Sequence, residues 1–380
     1  MASDRLLTAG DYREAARGRL PRAVFEYIDR GTEGEQALCA LRASLDGLRF
    51  MPRMLTGHAE RDLTAQVMGQ SAAMPVVIAP TALAGLVSHD GEVKMARAAA
   101  RMGIPACVST QSITPIEAIR AGAPEARLWF QLYAWKDRAL TRRLLERVAE
   151  TGVSTLVLTV DTPVVPLRDY NQRNGFGMPL RLRPRLMADM ARHPRWLVGV
   201  MLRYLLAGGM PTYGHYPPEF RTSITRPAAA APVRLENLLN WDDVRDLRRW
   251  WKGELIVKGI FSLDDARICH NLGADGIVVS SHGGRNIDSA PPPAELLPAI
   301  VGALGDRIEI FADSGVMRGS DVLKYLSLGA RGVMTGRLPL WGLASGGEAG
   351  AVAVLEMIRN EMDVILALLG ARSPSDVSLA

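Results

Sequence analysis

His282 is followed three residues later by Arg285, with only Gly283 and Gly284 and no bulky side chain between them. An imidazole can take a proton while a guanidinium fork holds a carboxylate, so this spacing suits one small anionic substrate. The pair ends an apolar run, GIVVSSH, and its neighbours in the chain are built alike. Between Leu255 and Gly342, LIVKGI carries Lys258, GIVVSSH carries Ser280 and His282, EIFADS ends at Asp313 and Ser314, and GVMTGR ends at Gly336 and Arg337. Helix-like sequence follows the first three. Strand, reactive residue, helix is the repeat of a (β/α) barrel, whose active site lies at the carboxyl ends of its strands.

Four earlier runs complete the set: VVIAP (76–80), ACVST (106–110), LWFQLY (128–133) and TLVLTVD (155–161). They end near Pro80, Thr81 and Ala82, at Ser109 and Thr110, at Gln131 and Tyr133, and at Thr159 and Asp161. Helical patterns such as GEVKMARAAARMG and DRALTRRLLERVAETG lie between strands and stop at glycine. Eight such units in series favour a closed α/β barrel, the (β/α)8 TIM barrel, over an open doubly wound sheet. The apolar strands all finish in hydrogen-bonding side chains, which gives a packed barrel a polar mouth. Residues 8–50 have helical spacing and read as helices before the barrel, available to cap its lower end. The expected organisation is a single barrel domain over 1–380, with a helical segment at 1–60 and an insert at 181–234 after the fourth strand.

The 380 residues and 48% hydrophobic content allow a large core. Cys39, Cys107 and Cys269 are too scattered for a disulfide framework, a redox pair or a zinc site, and no metal site is expected. The net charge of +5 is concentrated: residues 181–226 hold eight arginines against Asp189 and Glu219, a local +6, and the remainder sums to about −1. A basic character confined to one segment argues against a nucleic-acid surface. No run of 18 apolar residues occurs and the N-terminus lacks an apolar leader, so a cytoplasmic chain is expected.

The insert is basic and amphiphilic. Arg181, Arg183, Arg185, Arg192 and Arg195 precede Trp196–Leu206, an apolar stretch broken by Arg203. It is too short to span a bilayer of about 20 helical residues, and its composition suits a helix lying among anionic headgroups. Residues 186–220 are therefore expected to make a peripheral contact with the cytoplasmic face of the membrane; the alternative is a helix packed on the barrel or on another subunit.

SSHGGRNID closely resembles the flavin-loop motif of the FMN-dependent 2-hydroxy acid dehydrogenases and oxidases, and the insert looks most like the (S)-mandelate dehydrogenase branch. The resemblance runs from Tyr12 to Leu369 and weakens between Leu180 and Arg234. It implies FMN. Lys258 suits the charge needed near flavin N1 and O2, Ser109, Gln131 and Thr159 supply family-like hydrogen bonds to the ring, and the Pro80-Thr81-Ala82 backbone faces N5. Gly315, Gly336 and Arg337 match the phosphate pattern, and the strand-end Ser280 and Asp313 complete the cofactor set. Met317 departs from it, since the family usually has arginine there, and Ser281 replaces a usual asparagine.

On the substrate side the resemblance implies that Tyr27, Tyr133, Arg168 and Arg285 grip the acid, that His282 is the general base and that Asp161 orients it. The implied reaction is oxidation of an (S)-2-hydroxy acid, mandelate- or lactate-like, to the 2-oxo acid by a homotetramer, and the amphiphilic insert favours a membrane quinone as the electron acceptor. Ala82 keeps open a soluble oxidase that reduces O2 to H2O2. A non-catalytic or repurposed membrane-associated flavin barrel is the rival of another class. Residue identity leaves open whether the base takes the α-hydrogen or the hydroxyl proton.

Overall fold

The computed structural model describes residues 6–177, 180, 184–226 and 231–380. A short antiparallel hairpin, β1 (Ala65–Val67) and β2 (Gln70–Ala72), precedes eight parallel strands that close into a barrel. These are β3 (Val76–Ile78), β4 (Ala106–Ser109), β5 (Leu128–Leu132), β6 (Thr155–Thr159), β7 (Glu254–Ile260), β8 (Gly276–Val279), β9 (Glu309–Ala312) and β10 (Gly332–Thr335). Nearly every strand residue is buried, as expected where helices cover the outside and side chains fill the inside. The interior holds Val77, Cys107, Trp129, Val157, Ile256, Val278, Phe311 and Met334. Trp129 and Phe311 meet edge to face at 5.7 Å.

Register places the reactive strand ends at one level: Ser109 pairs with Gln131, and Thr159 with Lys258. Most strands stop earlier than the apolar runs. β8 ends at Val279 and β9 at Ala312, because His282 (φ 53°) and Ser314 (φ 78°) adopt left-handed backbone that no ladder accommodates.

The lower end of the barrel is closed differently from expectation. The β1–β2 hairpin plugs it, with Val67, Met68 and Ala72 packed into the interior cluster and the Met68 amide donating to Glu309 at 2.9 Å. The N-terminal helices Ala9–Arg19, Arg22–Asp29 and Gln36–Gly47 lie instead toward the mouth. There Thr32 donates its amide to the Gly284 carbonyl at 3.0 Å, and Arg42 donates to the Gly315 carbonyl at 2.6 Å. Side-chain apolarity at helical spacing states that a helix packs, and long-range contacts alone state on which end.

Of the basic run in the insert, Arg181 and Arg183 lie outside the described residues. Helical backbone runs through Pro194–Trp196, Leu197–Leu202 and Arg203–Ala207, its middle section wound as a π-helix. One face is packed on the barrel: Trp196 is 5% exposed and donates its indole N–H to the Leu86 carbonyl at 2.6 Å, and Val200 and Met201 are buried beside it. Trp196 is thus spent on the barrel, as in the alternative of a packed helix. Val198, Leu205 and Leu206 point outward, Leu206 at 80% exposure. Among the described residues no helix is long and apolar enough to cross a membrane.

Candidate active site

A cavity of about 1250 Å³ opens at the carboxyl ends of the strands. At its wall His282 sits with Nδ1 at 2.9 and 3.1 Å from the two carboxylate oxygens of Asp161, a residue 121 positions earlier in the chain. A carboxylate only accepts, so Nδ1 donates to it and Nε2 is the ring nitrogen left to meet a ligand. Burial pushes the Asp161 pKa up, but the imidazole and then Lys258 outweigh it and hold the carboxyl below its ordinary range. Gly259 makes the seat: at φ 101°, a Cβ there would lie 2.5 Å from Asp161 Cβ.

Lys258 is buried, with its ammonium 2.9 Å from Asp313 and donating at 2.8 Å to Ser280 Oγ. Desolvation pulls its pKa down, and the charges of Asp313 and Asp161 more than reverse this, so the ammonium stays charged. Ser280 stands behind the cavity wall. It is fully buried behind Lys258 and its hydroxyl also accepts the His282 amide at 3.0 Å, so it braces two cavity residues without reaching the wall itself. The strand ends one residue before it, which turns Ser280 inward. Asp161 likewise stands behind His282.

All the other expected site residues line the cavity: Tyr27, Pro80, Thr81, Ala82, Ser109, Gln131, Tyr133, Thr159, Arg168, Lys258, His282, Arg285, Asp313, Gly315, Gly336 and Arg337. Ser109 donates to Gln131 Oε1 at 3.0 Å, which orients the amide and leaves Gln131 Nε2 buried without a partner; Thr159 Oγ1 and Thr335 Oγ1 are in the same state. Unsatisfied buried polar atoms around one cavity point to a ligand with a polar edge.

Four arginines line the cavity, and three of them, Arg168, Arg285 and Arg337, are held by backbone carbonyls. Arg168 donates to the Arg285 carbonyl (3.3 Å), Arg285 to the Arg30 carbonyl (2.8 Å), and Arg337 to the carbonyls of Asp29 (2.9 Å) and Gly283 (2.7 Å). Among the described residues, none of the three forms an ion pair with a carboxylate. Burial, then the neighbouring Arg285, lowers the pKa of Arg168, and the same causes take Arg337 down to about 10. Cations left this uncompensated in a cavity define an anion site. Tyr27 lies under Arg285, with the guanidinium 5.1 Å from its ring centroid, and burial followed by Asp161 raises the Tyr133 phenol well above its usual range, keeping it neutral.

The model of the FMN-dependent dehydrogenase family matches residues 16–380. The chain belongs to this family. It is 41% identical over 370 residues to an L-lactate dehydrogenase of Pectobacterium atrosepticum, covering 97% of this chain and 94% of the relative. An L-lactate dehydrogenase of Xanthomonas campestris is 40% identical over 372 residues, with 97% and 95% covered. Among solved structures, the monotopic membrane protein (S)-mandelate dehydrogenase superposes with a TM-score of 0.91 at 34% identity over 99% of both chains. Mandelate oxidase with (S)-2-phenylpropionate superposes at 0.81, with 31% identity over 98% of both.

The residues present fit FMN. The cavity exceeds the roughly 300–1,000 Å³ of a pocket for one drug-sized ligand, Gln131 and Thr159 offer unpaired polar atoms, and Arg337 is a half-buried cation that forms no ion pair among the described residues. Met317, in place of the family's usual arginine, also lines the cavity. Sequence reasoning missed part of the wall: Asn171, Phe176, Tyr213, Tyr216 and Leu235. Tyr213 and Tyr216 lie in the insert, where the pattern of arginines and leucines draws attention to a membrane. The nearest available signal was the aromatic spacing in PTYGHYPP.

Proposed function

We propose that this FMN-dependent dehydrogenase oxidises an (S)-2-hydroxy acid to the 2-oxo acid and passes the electrons to a membrane quinone. The observation that carries the reading is one cavity holding both a carboxylate-oriented imidazole and three guanidinium groups without carboxylate partners. Two anions would satisfy those cations: the carboxylate of the acid at Arg168 and Arg285, and the cofactor phosphate at Arg337 with the Gly315 and Gly336 backbone. Tyr27 and Tyr133 hold the acid beside the arginines. His282 takes a proton from the substrate onto Nε2, and Asp161 stabilises the imidazolium that results.

Bound FMN supplies the two-electron sink for the oxidation. Lys258, kept charged by Asp313, offers a fixed positive charge for a flavin that gains electrons. Ser109, Gln131 and Thr159 would hold the polar edge of the ring, with the Pro80-Thr81-Ala82 backbone on the same wall.

The acceptor and the location rest on the insert. Val198, Leu205 and Leu206 form an outward apolar face, Arg195 and Arg203 share its helices and Arg192 lies in the turn before them, a combination suited to anionic headgroups. The (S)-mandelate dehydrogenase that superposes on this chain is a monotopic membrane protein. The proposal is one barrel unit over the whole chain, assembled as a homotetramer, resting on the cytoplasmic face of the membrane where a lipid-soluble quinone is within reach. Ala82 on the cavity wall supports a second reading, a soluble oxidase that uses O2.

The test starts with purified, FMN-loaded protein mixed anaerobically with 2-hydroxy acids. Bleaching of the flavin that His282→Asn abolishes, in a variant that stays yellow, is the expected result. A His282→Asn protein that still bleaches at near the parent rate refutes the assigned base. Reoxidation by a soluble quinone analogue faster than by air separates the dehydrogenase from the oxidase.

A further inference from the structure

Part of the cavity wall is aromatic and comes from the insert. Tyr213 and Tyr216 stack with their centroids 5.1 Å apart, and Tyr216 meets Trp135 edge to face at 5.4 Å. Phe176, on the loop after β6, packs 4.6 Å from Tyr27, the ring that lies under Arg285. An aromatic surface thus adjoins the groups placed around the substrate carboxylate.

This wall is preformed. Gly214, between the two tyrosines, lets the chain press on the loop after β4: a Cβ there would lie 2.5 Å from the Ile113 carbonyl oxygen, and the Gly214 amide donates to the Ser112 carbonyl at 2.9 Å. His215 is fully buried, its Nδ1–H donating to the Thr110 carbonyl at 3.2 Å and its ring edge-on to Phe130 at 5.0 Å. Burial takes its pKa down to about 4, so it remains a neutral structural pin. Arg221 ties the carbonyls of Gly214 and Tyr216, each at 3.2 Å. Burial raises both phenols, that of Tyr216 to about 12, so each presents an uncharged ring to the cavity.

We infer that Tyr213 and Tyr216 form the subsite for the substrate's side chain and select 2-hydroxy acids bearing an aromatic or comparably bulky group over those bearing a methyl. The inference rests on the reaction proposed above and names its substrate class. A phenyl-sized group covers the stacked rings and gains aromatic contact, whereas a methyl leaves them wetted. A single missing methylene in an apolar pocket changes kcat/KM by about 10–200-fold, so loss of a whole ring is measurable.

The experiment compares (S)-mandelate, (S)-3-phenyllactate and (S)-lactate as reductants of the FMN-loaded enzyme under anaerobic conditions. The aryl acids should exceed lactate in kcat/KM by about tenfold or more. Tyr213→Ala should reduce that aryl-to-lactate ratio by about tenfold or more, and Tyr213→Phe should preserve it. Tyr213→Leu repeats the measurement with the volume largely filled, and the flavin spectrum of each variant checks that the site is intact. If lactate is used as well as the aryl acids, or if the ratio is unchanged in both Tyr213→Ala and Tyr213→Leu, the reaction stands and the subsite falls. If no acid bleaches the flavin, the reaction itself is wrong and the subsite falls with it.

Discussion

Replacing Asp161 with asparagine removes one charge from the active site and little volume. The carboxylate is 5% exposed and its oxygens lie 2.9 and 3.1 Å from His282 Nδ1, so water cannot take its place. In the variant an amide stands where the carboxylate faced His282 Nδ1. Once His282 has taken the substrate proton, the imidazolium faces an amide where a carboxylate stood. Breaking a buried charge pair by removing one partner costs about 3–5 kcal/mol. At 1.36 kcal/mol per factor of ten, flavin reduction should slow by about two to four orders of magnitude. Stopped-flow bleaching under anaerobic conditions measures the rate directly, and flavin absorbance before mixing shows that the cofactor is retained. A yellow Asp161→Asn enzyme reduced within about threefold of the parent rate, far less than a factor of ten for 1.36 kcal/mol, would refute the dyad. The same residue has a stability signature. A carboxyl whose folded pKa is depressed contributes stability above its ordinary value of 3.8, and that contribution is lost as pH falls through the folded pKa. Acid unfolding of the variant should therefore begin with a shallower pH dependence than in the parent.

Arg285→Lys should lower kcat/KM for the acid by about 10–100-fold, the equivalent of the 1.5–3 kcal/mol of a charged hydrogen bond, with FMN content unchanged; loss of flavin with normal activity after reconstitution would place Arg285 on the cofactor. Met317→Arg introduces a guanidinium on the cavity wall and should tighten FMN by about 1–3 kcal/mol in equilibrium dialysis, and an unchanged affinity would mean that the new side chain points away from the phosphate. Leu205 and Leu206 are 50% and 80% exposed, and changing both to serine should weaken flotation on anionic liposomes while leaving the flavin bound. At about 1.5–3 kcal/mol per fully buried leucine, scaled by these exposures, the loss is about 30-fold or more, and a parent protein that never floats at low salt overturns the membrane contact.

The barrel was legible because its evidence is local. An apolar run of strand length closed by a polar residue announces a buried parallel strand and its mouth, and all eight runs in this chain became barrel strands. Where the strands stop was less legible. The left-handed backbone at His282 and Ser314 depends on the loop closing against its neighbours, through bonds such as that from the Gly283 amide to Ser314 Oγ at 2.9 Å. The placing of Ser280 depends on the same kind of contact. Side-chain type marks it as polar and useful, but only the turn after β8 sends it behind Lys258 and away from the cavity.

By itself the sequence determined that His282, Arg285, Lys258 and Asp313 stand at strand ends, and therefore on one face of the molecule, because strand polarity in a parallel barrel puts every carboxyl end on the same side. It also determined that 196–206 is apolar and flanked by arginine. The resemblance implied that Asp161 orients His282, and the tertiary structure decided how they meet: Asp161 reaches His282 across 121 residues through a seat that Gly259 leaves open. It decided that the hairpin and not the N-terminal helices plugs the lower end, that Trp196 turns into the barrel, and that Tyr213 and Tyr216 return from the insert to the cavity. The physical reason is common to all four. Periodicity records how much of a segment is buried, whereas the partner that buries it is chosen by packing among segments far apart in the chain, where many pairings have the same local pattern and only one fills the space.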